Sequence, residues 1–401
     1  MKKKIYENIF EFLDFEKILS IDLWYNDNQI SITQKKFLSF FFSLIKFFLG
    51  NIYRSFFSKP LVKVPLKKKL DIFYIRTHSR PDLVNHSKYY ENIDGTTVCI
   101  LDKRKFQIDI YNFFFFIFIL IKYKKFWFKI LKNRSINFFS LKGINIFLKL
   151  FSIFSDSIKI IPYMNNYKKF ISFQEMLPIE NFLCQTANIM KIETFALEHA
   201  IGFYKVGGYY WERYPINHYL NSVCRNILCW SNVSKKIFKE HTNANISIIG
   251  KAGLPEINEP ENGITLIFQS NKAKSINKKL LDFYEYCKLN KIPCSLWFKE
   301  KNNLVLKNNA RRKGPLRKIV IGYNTNYLLE LGFLGRNVYV LKDSPIQKFL
   351  PNSLIIDNIV AEIEKIINTN SYSSDIWKEF IECTGLESVK RYKKILNINS
   401  S

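Results

Sequence analysis

The sequence is short of acidic residues, of paired cysteines and of long apolar runs, and each shortage excludes a class of protein. Thirty-four Asp and Glu stand against 61 Lys and Arg in 401 residues, which gives a formal charge of +27. None of the seven cysteines forms a Cys-x-x-Cys pair. This spacing argues against a zinc site or a disulfide framework and indicates a reducing compartment. The positive charge predicts an anionic partner: a phosphate-bearing substrate, nucleic acid or an acidic membrane face.

Two Phe-rich segments, Phe37 to Leu49 and Tyr111 to Ile121, are the most apolar parts of the chain. Both are shorter than the roughly 20 residues that a membrane-spanning helix needs. Lysines flank them: Lys35, Lys36, Lys122, Lys124 and Lys125. Each segment therefore predicts either a buried helix or an amphipathic surface that contacts anionic lipid. Acidic residues interrupt the sequence after the basic start, so no secretory signal is expected. The predicted location is cytoplasmic, with peripheral contact to the inner membrane face as the alternative.

Short apolar segments alternate with helical patterns along most of the chain, which predicts strands and helices of an α/β protein. A Gly- and Pro-containing stretch, Gly250 to Pro255, divides the alternation into two halves and is typical of a linker. Two such halves predict two doubly wound, Rossmann-like domains. The expected domains are residues 1–252, with helical Phe-rich insertions, and residues 253–372. An amphipathic helix in residues 373–401 is expected to return to the first domain. A further strand is expected at Ile158 to Ile161.

The first candidate site follows the predicted strand Thr194 to Leu197, where Glu198 and His199 come next. Ligands of open parallel sheets bind at this carboxyl edge. The pKa range of histidine suits a general base at neutral pH, and Glu198 is a second acid–base candidate. A structural histidine at a strand end fits the same pattern, so both interpretations stay open. His78, after the strand Leu70 to Thr77, ranks second as the base.

The second candidate site lies in Ile319 to Leu341, where a predicted strand ends at Gly322 and a helix follows. The unpaired N–H groups of a helix N-terminus favour phosphate. Thr325 and Asn326 add side-chain donors there, and Glu330, one turn later, is placed to accept ribose hydroxyls. The alternative is an ordinary N-cap followed by a solvated Glu. Cations for a diphosphate are Lys251 and the cluster Arg311, Arg312, Lys313, Arg317 and Lys318, which also reads as a solvated basic loop.

The motifs FISFQE, TFALEHA, CWSNVSKKIF, ISIIGKAGLP and GYNTNYLLELGFLGRNVYVL occur in this order over roughly residues 168 to 345. Together they resemble glycosyltransferases of the GT-B fold, in particular bacterial enzymes that build capsule, lipopolysaccharide and teichoic-type polymers. The Gln-His-Gly element of such families is similar to Glu198-His199-Ala200. Their hydroxyl-rich turn and helical Glu, which bind the donor nucleotide, are similar to Thr325, Asn326 and Glu330. Ala200 replaces the usual Gly, and Asn stands where Ser is usual.

The resemblance implies an enzyme that transfers a sugar from a nucleotide-sugar donor to a growing bacterial surface polysaccharide, with a glycan or lipid-linked glycan as acceptor. No cofactor is expected. Because the chain contains no Asp-x-Asp pair, we expect no metal site, and helix N-termini and cations must stabilise the leaving phosphate. Two alternatives stay open: a polyol-phosphate transferase of the same fold, and a basic nucleic-acid-binding protein. Spread basic residues and the lack of a nucleic-acid-binding motif argue against the latter.

Overall fold

The computed structural model describes residues 12–14, 49–50, 53, 58–64, 71–76, 81–93, 96–106, 121, 141–173, 177–198, 201, 222–269, 274–298, 312–368 and 375–398. Two sheets, of seven and six strands, organise these residues. The chain divides into two compact units. The first contains Met1–His199, Asn217–Leu228 and His241–Ser247, and the second contains Ala200–Ile216, Cys229–Glu240 and Ile248–Ser401.

The seven-stranded sheet has the order β1-β3-β2-β4-β5-β6-β7. Its strands are β1 (Ser58–Lys63), β2 (Ile72–Arg76), β3 (Thr97–Phe106), β4 (Lys169–Ser172), β5 (Glu193–Leu197), β6 (Asn226–Cys229) and β7 (Asn245–Ile248). Among the described residues, the helices between these strands are α1 (Pro81–Glu91), α2 (Leu141–Met164), α3 (Pro178–Ile189) and α4 (Asn232–Lys239), of which α4 belongs to the second unit. Strand β1 runs antiparallel to β3, whereas β2, β3, β4, β5 and β6 pair in parallel. All five residues of β2 are buried, including Arg76, which is the pattern of a parallel strand covered on both faces.

The expected strand at Ile158 to Ile161 is wrong, because these residues lie inside helix α2. Phe154, Ile158 and Ile161 are buried, and they recur at intervals of four and three residues. This spacing places them on one face of a helix. A run of only four residues does not distinguish a buried strand from a buried helical turn, and the pattern over the preceding residues decides the matter.

The six-stranded sheet has the order β10-β9-β8-β11-β12-β13. Its strands are β8 (Glu261–Phe268), β9 (Cys294–Phe298), β10 (Arg312–Lys313), β11 (Arg317–Gly322), β12 (Asn337–Leu341) and β13 (Ile355–Ile356). The helices of this part are α5 (Lys274–Leu289), α6 (Asn326–Phe333), α7 (Ile363–Asn368), α8 (Asp375–Lys378) and α9 (Gly385–Ile395). All neighbouring strands are parallel except β10 and β9. The α/β fold class with two doubly wound, Rossmann-like sheets is therefore confirmed.

Each sheet has a point where the chain changes direction across it. In the second sheet the chain starts at β8, adds β9 and β10 on one side, and then crosses over to add β11, β12 and β13 on the other. In the first sheet the same change occurs between β2 and β4. The crevice at the carboxyl ends of such strands is where ligands of doubly wound sheets bind. In the second sheet, the expected ligand site is therefore at the carboxyl ends of β8 and β11.

The C-terminal helices pack within the second unit. Gly332 of α6 lies against the indole ring of Trp377 in α8, so closely that a Cβ atom would overlap the ring. Lys251 forms a backbone bridge with Thr384, just before α9. The prediction that this terminal helix also packs on the first domain stays a prediction. Across the described residues, no helix combines the length and the apolarity needed to cross a membrane.

Candidate functional site

The N-terminus of α6 lies directly after β11 at the carboxyl edge of the second sheet. Gly322 ends the strand, and a Cβ atom there would lie 2.9 Å from both methyl carbons of Leu328. The glycine thus allows the helix to fold back closely on the strand. Thr325 is the N-cap, and its hydroxyl accepts a hydrogen bond from the amide of Tyr327 at 3.4 Å. The capped helix presents its positive end at the crevice between β8 and β11.

Asn326 is the first residue of α6 and is half-buried. Its Oδ1 atom accepts a hydrogen bond from the backbone amide of Ile201 at 3.1 Å. Ile201 belongs to the second unit and follows His199 by two residues in the sequence. The Nδ2 group of Asn326 and the hydroxyl proton of Thr325 are the side-chain donors at this helix start. Both residues hold the positions at the helix terminus that the sequence predicts.

Lys251 and Glu330 form a buried ion pair in the second unit. The Nζ atom of Lys251 donates to Oε1 of Glu330, and the two residues are 5% and 9% exposed. The same ammonium lies 4.3 Å from the ring centroid of Trp230, in a cation–π contact. The backbone of Lys251 is held as well, because its amide donates to the carbonyl of Cys383 at 2.9 Å. A buried lysine is thereby fixed beside α6 with its charge compensated.

Gln269 is a residue of this edge that the sequence pattern did not single out. It follows β8 directly, and β8 is the parallel neighbour of β11. Its backbone amide and carbonyl bond to the side chain of Asn277 at 2.9 and 3.3 Å. Its side chain is buried at 2% exposure, yet Nε2 and Oε1 have no hydrogen-bond partner among the described residues. A buried polar group without a hydrogen-bond partner lowers the free energy of unfolding by about 1–3 kcal/mol. Its only sequence signal is that the apolar strand ITLIF ends in a glutamine.

Aromatic rings lie beside the same helix start. The rings of Trp297 and Tyr327 are stacked, with centroids 5.6 Å apart and planes inclined by 17°. Trp297 is the neighbour of Ile267 across the β8–β9 pair, near the carboxyl end of β9. Tyr327 belongs to the first turn of α6. The stack therefore borders the positive helix end on the β9 side.

The predicted basic cluster is divided between the two ends of the sheet: Arg312 of β10 pairs with Trp297 near the carboxyl end of β9, whereas two other members lie at the far end. Arg317 and Lys318 begin β11, at the opposite end of the strand from α6. The guanidinium of Arg317 bonds there to the carbonyl of Asn262 at 2.7 Å and to the carboxylate of Glu261 at 3.4 Å. Arg311 lies outside the described residues. Lys251 is a cation whose side chain the described structure places in contact with α6.

In the first unit, Glu198 follows β5 at the carboxyl edge of its sheet. It is 4% exposed, and its amide donates to the carbonyl of Leu228 at 3.0 Å. A second buried carboxyl group lies in the first turn of α3, where Glu180 accepts a hydrogen bond from the Ser172 hydroxyl at 2.5 Å. His199 and His78 lie outside the described residues. Within the described part of the chain, no three His, Cys, Asp or Glu residues are grouped so as to hold a metal ion.

Comparisons with known proteins add little to this geometry. No protein-family model matches the sequence, and no curated protein matches it either. Anabaena Alr3699/HepE, solved in complex with UDP and glucose, is 12% identical with a TM-score of 0.44, over 81% of this chain and 98% of that one. An Escherichia coli structure described as trehalose-6-phosphate bound with UDP-2-fluoro glucose is 9% identical with a TM-score of 0.35, over 82% and 96%. At these scores the strand order, and not the likeness, supports the fold assignment.

Proposed function

We propose that this chain is a metal-independent glycosyltransferase of GT-B-like fold, built from two Rossmann-like domains. It moves a sugar from a nucleotide-sugar donor to a glycan or lipid-linked glycan acceptor of a bacterial surface polysaccharide. The observation that carries the proposal is the buried, unpartnered amide of Gln269 at the point where the second sheet changes direction. The positive end of α6 follows the neighbouring strand β11, and Glu330 of that helix holds the buried ammonium of Lys251. A phosphate at this edge would accept hydrogen bonds from the first N–H groups of α6, from Nε2 of Gln269 and from Lys251.

The charges suit the leaving group of glycosyl transfer. The acceptor hydroxyl oxygen bonds to the anomeric carbon of the donor sugar, and the bond from that carbon to the phosphate oxygen breaks. The phosphate leaves with the electron pair, and its negative charge meets the N–H groups of α6, Lys251 and the donors of Thr325 and Asn326. Preorganised donors of this kind supply the stabilisation that a metal ion provides elsewhere. No cofactor is required by this chemistry.

The hydroxyl proton of the acceptor needs a base. We assign this role to His199, with Glu198 beside it in the sequence and His78 as the second candidate, because imidazole accepts a proton readily near neutral pH. Glu330 completes the donor-side residues. A nucleotide-activated polyol phosphate presents a similar phosphate to the site. Binding experiments with both kinds of donor therefore decide between sugar transfer and polyol-phosphate transfer.

The test is calorimetric titration with UDP-, GDP- and CMP-sugars and a CDP-linked polyol, on the wild type and on Gln269→Leu. One donor class should bind the wild type. In Gln269→Leu its affinity should fall about tenfold, which corresponds to about 1.4 kcal/mol. The melting temperature without ligand should rise, because the variant removes a buried amide that lacks partners.

The matched control is Gln185→Leu, in the first unit. Gln185 is also buried, but its amide bonds to the carbonyl of Asp14 at 3.0 Å and to Asn181 at 2.8 Å. This variant should lose stability because it leaves those partners unpaired, and it should keep the donor affinity. Wild-type donor affinity in Gln269→Leu, or binding of oligonucleotides in place of every nucleotide donor, contradicts the proposed function.

A further inference from the structure

The sequence predicts two charged residues that bind the donor, Lys251 and Glu330, on separate grounds. In the structure these two residues contact each other. Lys251 and Glu330 are separated by 79 positions, yet their side chains form one buried ion pair. Trp230 lies against the ammonium, 4.3 Å from its ring centroid. Glu330 therefore already has a strong partner before any ligand is considered.

The position of Glu330 on α6 determines where that ammonium is held. Glu330 follows Asn326 by four residues, so both lie on the same face of the helix, one turn apart. Helical side chains lean toward the N-terminus of their helix. The carboxylate thus reaches back toward the first turn and holds the ammonium on the face that begins with Asn326. Along the helix axis, Glu330 lies about one turn, or about 5.4 Å, from the helix start.

A ribose-binding role for Glu330 competes with this arrangement. The ammonium of Lys251 already occupies Oε1, so a ribose could use only the remaining acceptor sites of the carboxylate, and turning the carboxylate fully toward a ribose would leave a buried ammonium without its counter-ion. Removing one partner of a buried pair is strongly unfavourable. A lysine ammonium has three N–H donors, however, so Lys251 can keep Glu330 and still donate to a phosphate oxygen. The ion pair can therefore remain intact while the ammonium donates a hydrogen bond to the ligand.

We propose that Glu330 is a positioning residue, which acts on the donor by holding the ammonium of Lys251 toward the diphosphate and does not contact the ribose. This inference rests on the proposed function, because it concerns the same donor site. It makes Lys251 the group that touches the leaving phosphate. Glu330 contributes through the direction and the charge compensation that it gives to this lysine.

The experiment compares UDP, GDP and CDP with their 2′-deoxy forms by calorimetry on the wild type, Glu330→Gln, Lys251→Met and the double variant. In Glu330→Gln, the affinity for the ribose and the deoxyribose diphosphate should fall by the same factor, at least tenfold. Lys251→Met should also lower the affinity for the ribose and the deoxyribose diphosphate by the same factor. The double variant should be no weaker than Lys251→Met, because the two residues act as one unit.

Two further variants separate positioning from general loss of structure. Glu261→Gln removes the carboxylate that pairs with Arg317 at 3.4 Å, at the opposite end of β11 from α6, and should keep the wild-type affinity. Glu330→Asp keeps the charge but shortens the side chain by one carbon, roughly 1.5 Å, and should show an intermediate loss. It also replaces Glu330→Gln in the comparison if that variant does not fold.

The outcomes are distinct. Equal losses for both sugars, with a non-additive double variant, support the positioning role. If Glu330→Gln or Glu330→Asp abolishes the preference for the ribose form while Lys251→Met retains it, Glu330 contacts the ribose and the inference is overturned. If the wild type binds none of the three nucleoside diphosphates, the inference is overturned, whereas the proposed function is decided separately by the titration with nucleotide sugars.

Discussion

Replacing Gly250 with Ala should destabilise the second unit and displace Lys251. Gly250 has φ of +80°, a left-handed conformation that costs an L-residue about 1–2 kcal/mol. A Cβ atom there would also overlap the carbonyl oxygen and Sγ of Cys383. Because a backbone carbonyl cannot rotate away, overpacking adds about 1–3 kcal/mol. The expected loss of unfolding free energy is therefore about 2–5 kcal/mol.

Gly335→Ala is the matched control. Gly335 has φ of +82°, and no heavy atom lies within 4 Å of a Cβ built there. This variant bears the backbone strain alone, about 1–2 kcal/mol. The difference between the two variants, about 1–3 kcal/mol, isolates the overlap with Cys383. Urea unfolding followed by tryptophan fluorescence measures both, since Trp230 and Trp377 are buried in this unit.

The same pair of variants tests the link to the donor site. The amide of Lys251 bonds to the carbonyl that the new methyl group would push away, so Gly250→Ala should lower nucleotide-sugar affinity. Gly335→Ala should retain it. Equal urea midpoints at equal m-values, or wild-type donor affinity in Gly250→Ala, would refute the packing argument.

Four more outcomes are expected. Gly332→Ala should lower the unfolding free energy by about 1–3 kcal/mol through overlap with Trp377, and a more stable variant in urea would contradict this. His199→Ala should reduce kcat about 100-fold with an unchanged melting temperature, whereas full turnover would remove His199 from the mechanism. Activity should persist in EDTA, and a loss that manganese restores would disprove metal independence. Liposome flotation should be stronger with anionic than with neutral lipid, and should weaken when five lysines become glutamine: Lys35, Lys36, Lys122, Lys124 and Lys125. Flotation with neither lipid would exclude membrane contact.

The alternation of apolar strands and amphipathic helices was readable without a structure because it depends on local periodicity. Buried parallel strands such as β2 and β12 appear as short apolar runs, and capping residues such as Thr325 mark helix starts. Both doubly wound sheets and the helix terminus after β11 follow from these local signals. The limit of such signals is shown by Ile158 to Ile161, where four residues fit either a strand or a helical turn.

The tertiary structure decided which groups meet. Lys251 and Glu330 are 79 residues apart, and their pairing depends on α6 packing beside the segment that follows β7. The burial of Gln269 depends on the crossing of the chain from β10 to β11, which places β11 beside β8, and no short sequence window around residue 269 contains this crossing. Arg317 was a candidate cation in the sequence, but it begins β11, whereas α6 follows the other end of this strand. Local periodicity determines the elements, whereas contacts between distant segments determine charge compensation and burial, and only the folded chain brings those segments together.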